Sequence, residues 1–360
     1  MAAIDYLRVC YPRLADRLPR LELALRPTPV RSVPVVYRGR SLRLSVKLDN
    51  LTGSLYGGNK VRKLEYIFPK ARARHCQRIA TFGAAGSNHA LATALYATEA
   101  GFRCTCFLSH QAKTPQVAAT LNKHIENGTE LVRFGGCYAA RLATLRQHLW
   151  NRHAWVIPMG GSSWLGTMGF VAAGLELASQ VGCGEVASPD RLYVGSGTMG
   201  TAIGIALGLA LSDMQTEVHA VRVSDRSITN EGALGRLLAK TAAMMRHYDD
   251  SVPRDLAERA RIVLRNEFFG DGYAITTPEA DEAIRFAREA LDIGLEQTYT
   301  GKAMAALLHD LLQADSQHLK ALYWHTYNSA PLAVPAERPL DAAALPESFL
   351  RYFDATSAGA

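Results

Sequence analysis

Short apolar runs alternate along this chain with longer stretches whose apolar residues recur at helical spacing. "RIATFG" (78–83) reads as a strand, followed by a helix from about Asn88 to Glu99. "FRCTCFL" (102–108) precedes the helical "PQVAATLNKHIENG", and "ELVRF" (130–134) precedes "YAARLATLRQHLWNR". "AWVIPMGG" (154–161) leads into "LGTMGFVAAGLELASQV". Then come "RLYVGSG" with a helix behind it, "EVHAVRV" (217–223) and, much later, "ALYWHT" (321–326). Residues 224–252 carry few strand signals and predict a helix, "EGALGRLLAKTAAMMRHY", and a loop, "DDSVPRD". Strands that take turns with helices predict an α/β fold of mostly parallel sheets flanked by helices. Such sheets bind ligands at the carboxyl ends of their strands, which singles out the turns after "TFG", "PMGG", "YVG" and "YWHT". No internal repeat or low-complexity stretch interrupts the pattern, and the "ATSAGA" tail is expected to fray.

Composition narrows the function classes. Of 360 residues, 48% are hydrophobic and 20% charged, an ordinary globular composition, and the length suits two to three domains' worth of core or equally one large enzyme with two lobes. No secretory leader pattern is visible, so secretion is not indicated. The longest apolar run, "TAIGIALGLALSDM", is too short for a membrane span and carries glycines, so no membrane role is expected. The net charge is +7 and the pI about 9.1. The basic residues are dispersed and no basic-aromatic module is present, so no nucleic-acid partner is expected; a mild positive excess suits an anionic small molecule. The six cysteines lack disulfide-like spacing. Cys104 and Cys106 fall in a strand and are expected to point to opposite faces, which argues against a shared metal. A reduced, cytoplasmic setting is the simplest expectation.

Three stretches carry candidate chemistry. In "LYVGSGTMGTAIGIALG" an apolar run ends at Gly195, and Ser196, Gly197, Thr198, Met199, Gly200 and Thr201 lead into a helix. Glycines admit a close ligand, and the amides of a helix start favour an anion, so the loop reads as a phosphate cradle. Gly195, Gly197 and Gly200 also match G-x-G-x-x-G, with Asp225 after the next strand. This keeps open a nicotinamide-dependent oxidoreductase, which has no use for "GGNK". In "GGNKVRKLEY" (57–66), Lys60 begins a helix and shares a face with Lys63. A partly buried lysine at the positive end of a helix has its charged form disfavoured, and the neutral amine is what Schiff-base chemistry needs. In "FGAAGSNHALATALYA" (82–97), Ser87 and Asn88 open a second helix. They suit an amino-acid carboxylate, but taken alone they read first as a plain N-cap. His89 reads as a carboxylate ligand or as an ordinary helix histidine.

Together these stretches resemble the pyridoxal-phosphate family that contains 1-aminocyclopropane-1-carboxylate deaminase and D-cysteine desulfhydrase, within the tryptophan-synthase-β-like fold (fold type II). The resemblance runs from "RPTPV" through "VKLDNLTG", "GGNKVRKLEY", "GSNHA", "PMGGSSWLGTMGF", "GSGTMGTAIG", "GDGYAITTPEADEAI" and "YTGKAM" to "YWHT", in family order. It implies two lobes with pyridoxal 5'-phosphate in the cleft between them. Residues 1–63 and 173–360 would form the large cofactor-binding domain and 64–172 a small inserted α/β domain. It implies that Lys60 forms the internal aldimine, with the glycines of "GGNK" making room for the ring, and that Lys63 and the 195–201 loop hold the phosphate. It further implies that Ser87 engages substrate and relays protons and that Asn88 meets the phenolic oxygen. Tyr273 and Tyr299 match two active-site tyrosines, and Thr300, with Thr326 beside it, faces the pyridine nitrogen.

Thr300 bears on the reaction. Ring-opening deaminases of the family carry glutamate there; the desulfhydrase-like members carry threonine. A hydroxyl with no nearby negative charge leaves the nitrogen largely unprotonated, which suits α,β-elimination or β-replacement on a small amino acid and disfavours cyclopropane opening. Three departures from the family pattern bear on specificity: Gly86 replaces the usual glutamine, Leu91 replaces an arginine, and "HTYNS" (325–329) replaces "HTGG". Tyr327 and Asn328 are expected to press on the ring or the substrate pocket. A homodimer is the expected assembly, and a ligand-binding protein without turnover is the other alternative.

Overall fold

The computed structural model describes residues 4–150, 153–313, 318–328, 330, 332 and 338–353. The "ATSAGA" tail and Ser329 lie outside them. Among the described residues, ten strands occur in chain order: β1 (Val30–Tyr37), β2 (Arg40–Lys47), β3 (Arg78–Ala84), β4 (Arg103–Ser109), β5 (Glu130–Arg133), β6 (Ala154–Val156), β7 (Arg191–Ser196), β8 (Glu217–Arg222), β9 (Ile262–Arg265) and β10 (Ala321–Trp324). They form two sheets. One has six strands in the order β1-β2-β10-β7-β8-β9, the other four in the order β5-β4-β3-β6. Among the described residues only the β1–β2 hairpin is antiparallel; the other pairings are parallel. The α/β expectation thus holds in both sheets.

The chain divides into two units. The larger takes the residues up to Tyr66 and those from Ser162 to Asn328; the smaller takes residues 67–161 and the described residues from 330 onward. These boundaries differ from the expected 63/64 and 172/173. The Trp164–Gly182 helix belongs to the larger unit from its first turn, because Trp164 and Leu165 already pack against that unit's core, followed by Met168, Phe170 and Val171. The C-terminal segment goes with the smaller unit, where Phe349 meets His110 with ring centroids 5.2 Å apart.

The apolar strands of the six-stranded sheet read in period two. Leu192 and Val194 of β7, with Leu322 and Trp324 of β10, pack under the helices Trp164–Gly182 and Gly200–Ala210. Tyr193, Ala321 and Tyr323 face the helices Pro278–Leu291 and Thr300–Leu311 on the other side. In the four-stranded sheet Phe107, Val132 and Phe82 pack with Leu145 and Leu149. Cys104 and Cys106 are both buried, with their sulfurs 3.9 Å apart. The expected opposite-face placement is therefore wrong: residues two apart on a strand share a face. The pair remains a packed thiol pair, and no cluster of metal-ligating side chains occurs among the described residues. No helix of the described residues is long and apolar enough to cross a membrane.

Candidate active site

Lys60 opens the helix Lys60–Ala73. The turn before it is wedged against the stretch after β10. Gly58 has a φ of +90°, and a Cβ there would stand 2.4 Å from the Thr326 carbonyl oxygen. Asn59 donates its backbone amide to that same oxygen at 3.2 Å. Gly57 donates its amide to Asn328 Oδ1 at 2.8 Å. Read from the sequence, the glycines make room for a cofactor ring; in the structure, the neighbour that excludes a side chain at 58 is the chain's own Thr326. Asn328 likewise spends its carbonyl oxygen on the backbone of this turn.

Lys60 Nζ donates to Asn59 Oδ1 at 2.9 Å, and Asn59 Nδ2 donates to Thr201 Oγ1 at 3.0 Å. The amine and the glycine loop thus form one hydrogen-bonded unit. That loop follows β7: Gly197, Thr198 and Met199 turn the chain into the helix Gly200–Ala210, with Met199 left-handed at φ 61°, a conformation non-glycine residues seldom adopt. Lys63 Nζ donates to Ser162 Oγ at 3.0 Å, and so does the Gly200 amide at 3.3 Å. With two donors on its oxygen, Ser162 sends its own proton to Thr198 Oγ1, 2.6 Å away. On the far side of the loop, Thr229 Oγ1 donates to the Gly197 carbonyl.

Tyr299 and Tyr273 bring their hydroxyls to 3.3 Å of each other. A Cβ on Gly197 would lie 3.3 Å from the Tyr299 ring, which places that ring against the loop. Burial pushes both phenols up, Tyr299 well above the usual range, so both are neutral donors at neutral pH. The loop carrying Tyr273 is pinned from behind. Lys302 Nζ donates to the Phe269 carbonyl at 2.5 Å, and the Arg222 guanidinium lies 4.2 Å from the Phe269 ring centroid.

Thr300 heads its helix and is buried. Its backbone amide and that of Tyr299 donate to Glu296 Oε1 at 2.8 and 2.7 Å, and that of Thr298 to Oε2 at 2.8 Å. Thr300 Oγ1 accepts from the Glu296 amide at 2.7 Å and lies 3.1 Å from Glu296 Oε1. The sequence-based premise that no negative charge stands near Thr300 is therefore incorrect. Glu296 also acts on Lys60: burial pushes that amine down to about 8, and the carboxylate opposes the fall. Lys63 is held well below the usual range by burial and by the Lys60 cation.

Behind the helix start lies a buried ion cluster. Arg62 pairs with Asp49 at 2.7 Å and Glu176 at 3.0 Å, and Lys47 pairs with Glu176 at 2.6 Å. It ties the first turn of the Lys60 helix to β2 and to the Trp164–Gly182 helix.

Ser87, Asn88 and His89 belong to the smaller unit. Ser87 N-caps the helix Asn88–Glu99, its Oγ accepting the Ala90 amide at 3.3 Å. His89 is buried; its Nε2 lies 2.8 Å from Thr81 Oγ1 and its Nδ1 3.4 Å from Thr93 Oγ1. Both ring nitrogens thus face threonine hydroxyls of the smaller unit.

Three contributors escaped the sequence reading. Asn59 and Ser162 lie inside quoted motifs but had no role assigned. Glu296 had a local signal, an acidic residue just ahead of an apolar helix.

The donor set fits a phosphate ester bearing an aldehyde. Ser196 Oγ is buried with no partner among the described residues. A Cβ on Gly200 would come within 2.7 Å of Ser162 Oγ, so the loop admits nothing larger than glycine there. Two neighbouring lysines with depressed pKa values are a place where an anion restores charge balance.

Comparison with known proteins agrees with this chemistry. A family model described as pyridoxal-phosphate dependent enzyme matches residues 21–321. The chain is 33% identical over 319 residues to a D-cysteine desulfhydrase of Salmonella choleraesuis (strain SC-B67), covering 82% of this chain and 90% of that relative. Among solved structures, an ACC deaminase homologue superimposes with a TM-score of 0.72 at 26% identity, over 90% of this chain and 94% of the other. A fungal L-serine ammonia-lyase from Rhizomucor miehei, at 18% identity and a TM-score of 0.59, covers 85% of this chain and 95% of its own and shares the fold.

Proposed function

We propose a reaction for a chain that belongs to the pyridoxal-phosphate dependent enzymes, a membership shown by the family match over residues 21–321 and by the desulfhydrase relatives. The chain is a pyridoxal-phosphate dependent lyase similar to D-cysteine desulfhydrases. When bound, the cofactor supplies an aldehyde that an amine captures and a ring that takes up the electron pair released at a substrate's α-carbon.

The reaction is α,β-elimination on a small amino acid carrying a thiol or a comparable leaving group at its β-carbon, with D-cysteine the leading candidate. In this assignment the 195–201 loop and Lys63 hold the phosphate, Lys60 meets the aldehyde, Thr300 and Thr326 meet the ring nitrogen, and Asn88 meets the phenolic oxygen. Lys60 removes the α-proton as the neutral amine its lowered pKa makes available. The bond from the β-carbon to sulfur breaks, and Tyr299, backed by Tyr273, gives the departing sulfur its proton. Ser87 holds the substrate carboxylate. Hydrolysis of the remaining enamine releases pyruvate and ammonia. The observation that carries this reading is the Lys60–Asn59–Thr201 chain, which joins the amine to the anion cradle.

A second reading, ring opening of 1-aminocyclopropane-1-carboxylate, draws support from one contact: the Glu296 carboxylate 3.1 Å from Thr300 Oγ1. One experiment addresses both. Holoenzyme is incubated with D- and L-cysteine, β-chloroalanine and 1-aminocyclopropane-1-carboxylate, and ammonia, sulfide and the 2-oxo acid formed are measured. Sulfide and pyruvate from a cysteine enantiomer support elimination. A 2-oxo acid from the cyclopropane substrate alone overturns it.

We also place the enzyme in the cytoplasm, on the strength of its free cysteines, and take a homodimer as its assembly. Sedimentation equilibrium tests the latter.

A further inference from the structure

Ser87 is preceded by Gly86, a position with no side chain at the turn where the smaller unit starts its Asn88–Glu99 helix. The space is not empty. A Cβ built on Gly86 would lie 3.1 Å from Gln111 Nε2 and 3.3 Å from Gln111 Oε1. Gln111 Oε1 accepts the Gly86 amide at 2.9 Å. With Oε1 so engaged, Nε2 is the donor this carboxamide presents beside the Ser87 turn. Gln111 comes from the exit of β4, the strand that pairs with β3 and so ends beside the turn.

Gln111 is itself held by the C-terminal segment. Tyr352 OH accepts the Gln111 amide at 3.0 Å and donates to the Gln111 carbonyl at 3.1 Å. His110 completes the arrangement. Arg133 Nε donates to His110 Nε2 at 3.0 Å, so the ring proton sits on Nδ1 and points to Tyr352 OH, 3.2 Å away. The Tyr352 hydroxyl thus has two donors and one acceptor, all at backbone or ring atoms of one loop. Phe349 packs its buried ring edge-on to His110, and the Leu340 amide donates to Asn122 Oδ1 at 3.0 Å. The segment 338–353 is therefore a strap whose far end closes on the two residues next to the Ser87 turn.

We infer that Gln111 is a positioning residue: its carboxamide reaches across the sheet to hold the Gly86 backbone, and the C-terminal strap fixes it through Tyr352. The inference rests on the assignment of Ser87 and Asn88 to the substrate. Gln111 holds the Gly86 backbone, and with it the direction of the Ser87 hydroxyl and of the amides behind it.

The test uses holoenzyme and four variants: Q111A, G86Q, Q111A/G86Q and Y352F. Hydrogen–deuterium exchange is followed in the peptide spanning 84–91, and KM and kcat are measured on whichever substrate the amino-acid panel identifies. Q111A is expected to speed exchange at 84–91 and to raise KM roughly three- to tenfold with little change in kcat, the size that one neutral hydrogen bond carries. G86Q alone collides with Gln111 and is expected to raise KM as well. Combining the two places a carboxamide on residue 86 in the space vacated, and is expected to restore both slow exchange and wild-type KM. Y352F is expected to speed exchange in the same peptide. Unchanged exchange in Q111A, or a double variant no better than Q111A, overturns the proposal. The exchange measurements need no turnover, so they decide the role of Gln111 even where the panel refutes the proposed reaction.

Discussion

Lys60 offers a direct prediction in the cofactor-free protein, where its amine titrates unmodified. Burial lowers it from 10.5 to about 8, against the pull of Glu296. At pH 7.5 roughly a quarter of such an amine is neutral, against about one part in a thousand for an ordinary lysine, a ~200-fold enrichment in the reactive form. Trace labelling with acetic anhydride from pH 6 to 10.5, read by peptide mass, follows each lysine separately. Lys60 is half-buried, and its labelling is expected to rise with a midpoint of about 8. Lys63 is also held low, but it is buried and donates to Ser162, so its labelling stays slow at every pH. Glu296→Gln keeps the oxygen that accepts the Tyr299 and Thr300 amides; it removes the charge and, with the second oxygen, the acceptor of the Thr298 amide. The ammonium form of Lys60 loses a favourable partner, and the midpoint moves down. A Lys60 midpoint near 10, or an upward shift in the Glu296 variant, refutes the reasoning.

Three further outcomes are expected. Tyr299→Phe lowers kcat by about a hundred- to ten-thousand-fold, the range typical of a lost general acid, while cofactor absorbance persists. Lys302→Met frees the Phe269 carbonyl and the loop behind Tyr273, so limited proteolysis cuts residues 266–275 faster than in wild type. Glu176→Gln leaves Lys47 and Arg62 buried with too little negative charge and costs about 3–5 kcal/mol of stability by urea unfolding. The same residue gives an acid signature. Burial raises the Glu176 carboxyl, but Arg62 and Lys47 outweigh it and hold it at about 2, against an ordinary 4.5. Its contribution to stability is therefore full above the ordinary carboxylate value and is lost as pH falls toward 2, a loss absent in Glu176→Gln.

Much of this was legible in the chain because it depends on local pattern. The parallel strands from β3 to β8 announced themselves as apolar runs before helices, and the glycine loop and Lys60 carry their chemistry in consecutive residues. The β1–β2 hairpin did not. Its turn uses Arg38 and Gly39, both at positive φ, where the strongest hairpin signals are Asn-Gly or Asp-Gly. Pro34 lies within β1, and its place on the sheet edge, where a missing amide is tolerated, is a tertiary fact. Gln111 was invisible for the same kind of reason. Nothing in the sequence near Gly86 announces that a carboxamide from the next strand's exit fills the gap. Asn328 looked like an obstruction when counted by volume, yet its carbonyl oxygen accepts the Gly57 amide.

With Thr300 at the ring nitrogen, as proposed above, the choice between the two reaction readings comes down to the proton of one hydroxyl. Thr300 Oγ1 has one hydrogen and two lone pairs. One lone pair takes the Glu296 amide. The hydrogen has two acceptors in reach, the Glu296 carbonyl at 3.2 Å and Oε1 at 3.1 Å. While it stays there, Thr300 offers any third group only an acceptor, and an acceptor backed by a carboxylate favours a protonated ring nitrogen. To serve an unprotonated nitrogen, the hydroxyl must turn its hydrogen away from Glu296. Threonine in place of glutamate therefore does not by itself make the site neutral. It moves the carboxylate one hydrogen bond back, where its influence depends on which way a single hydroxyl is turned.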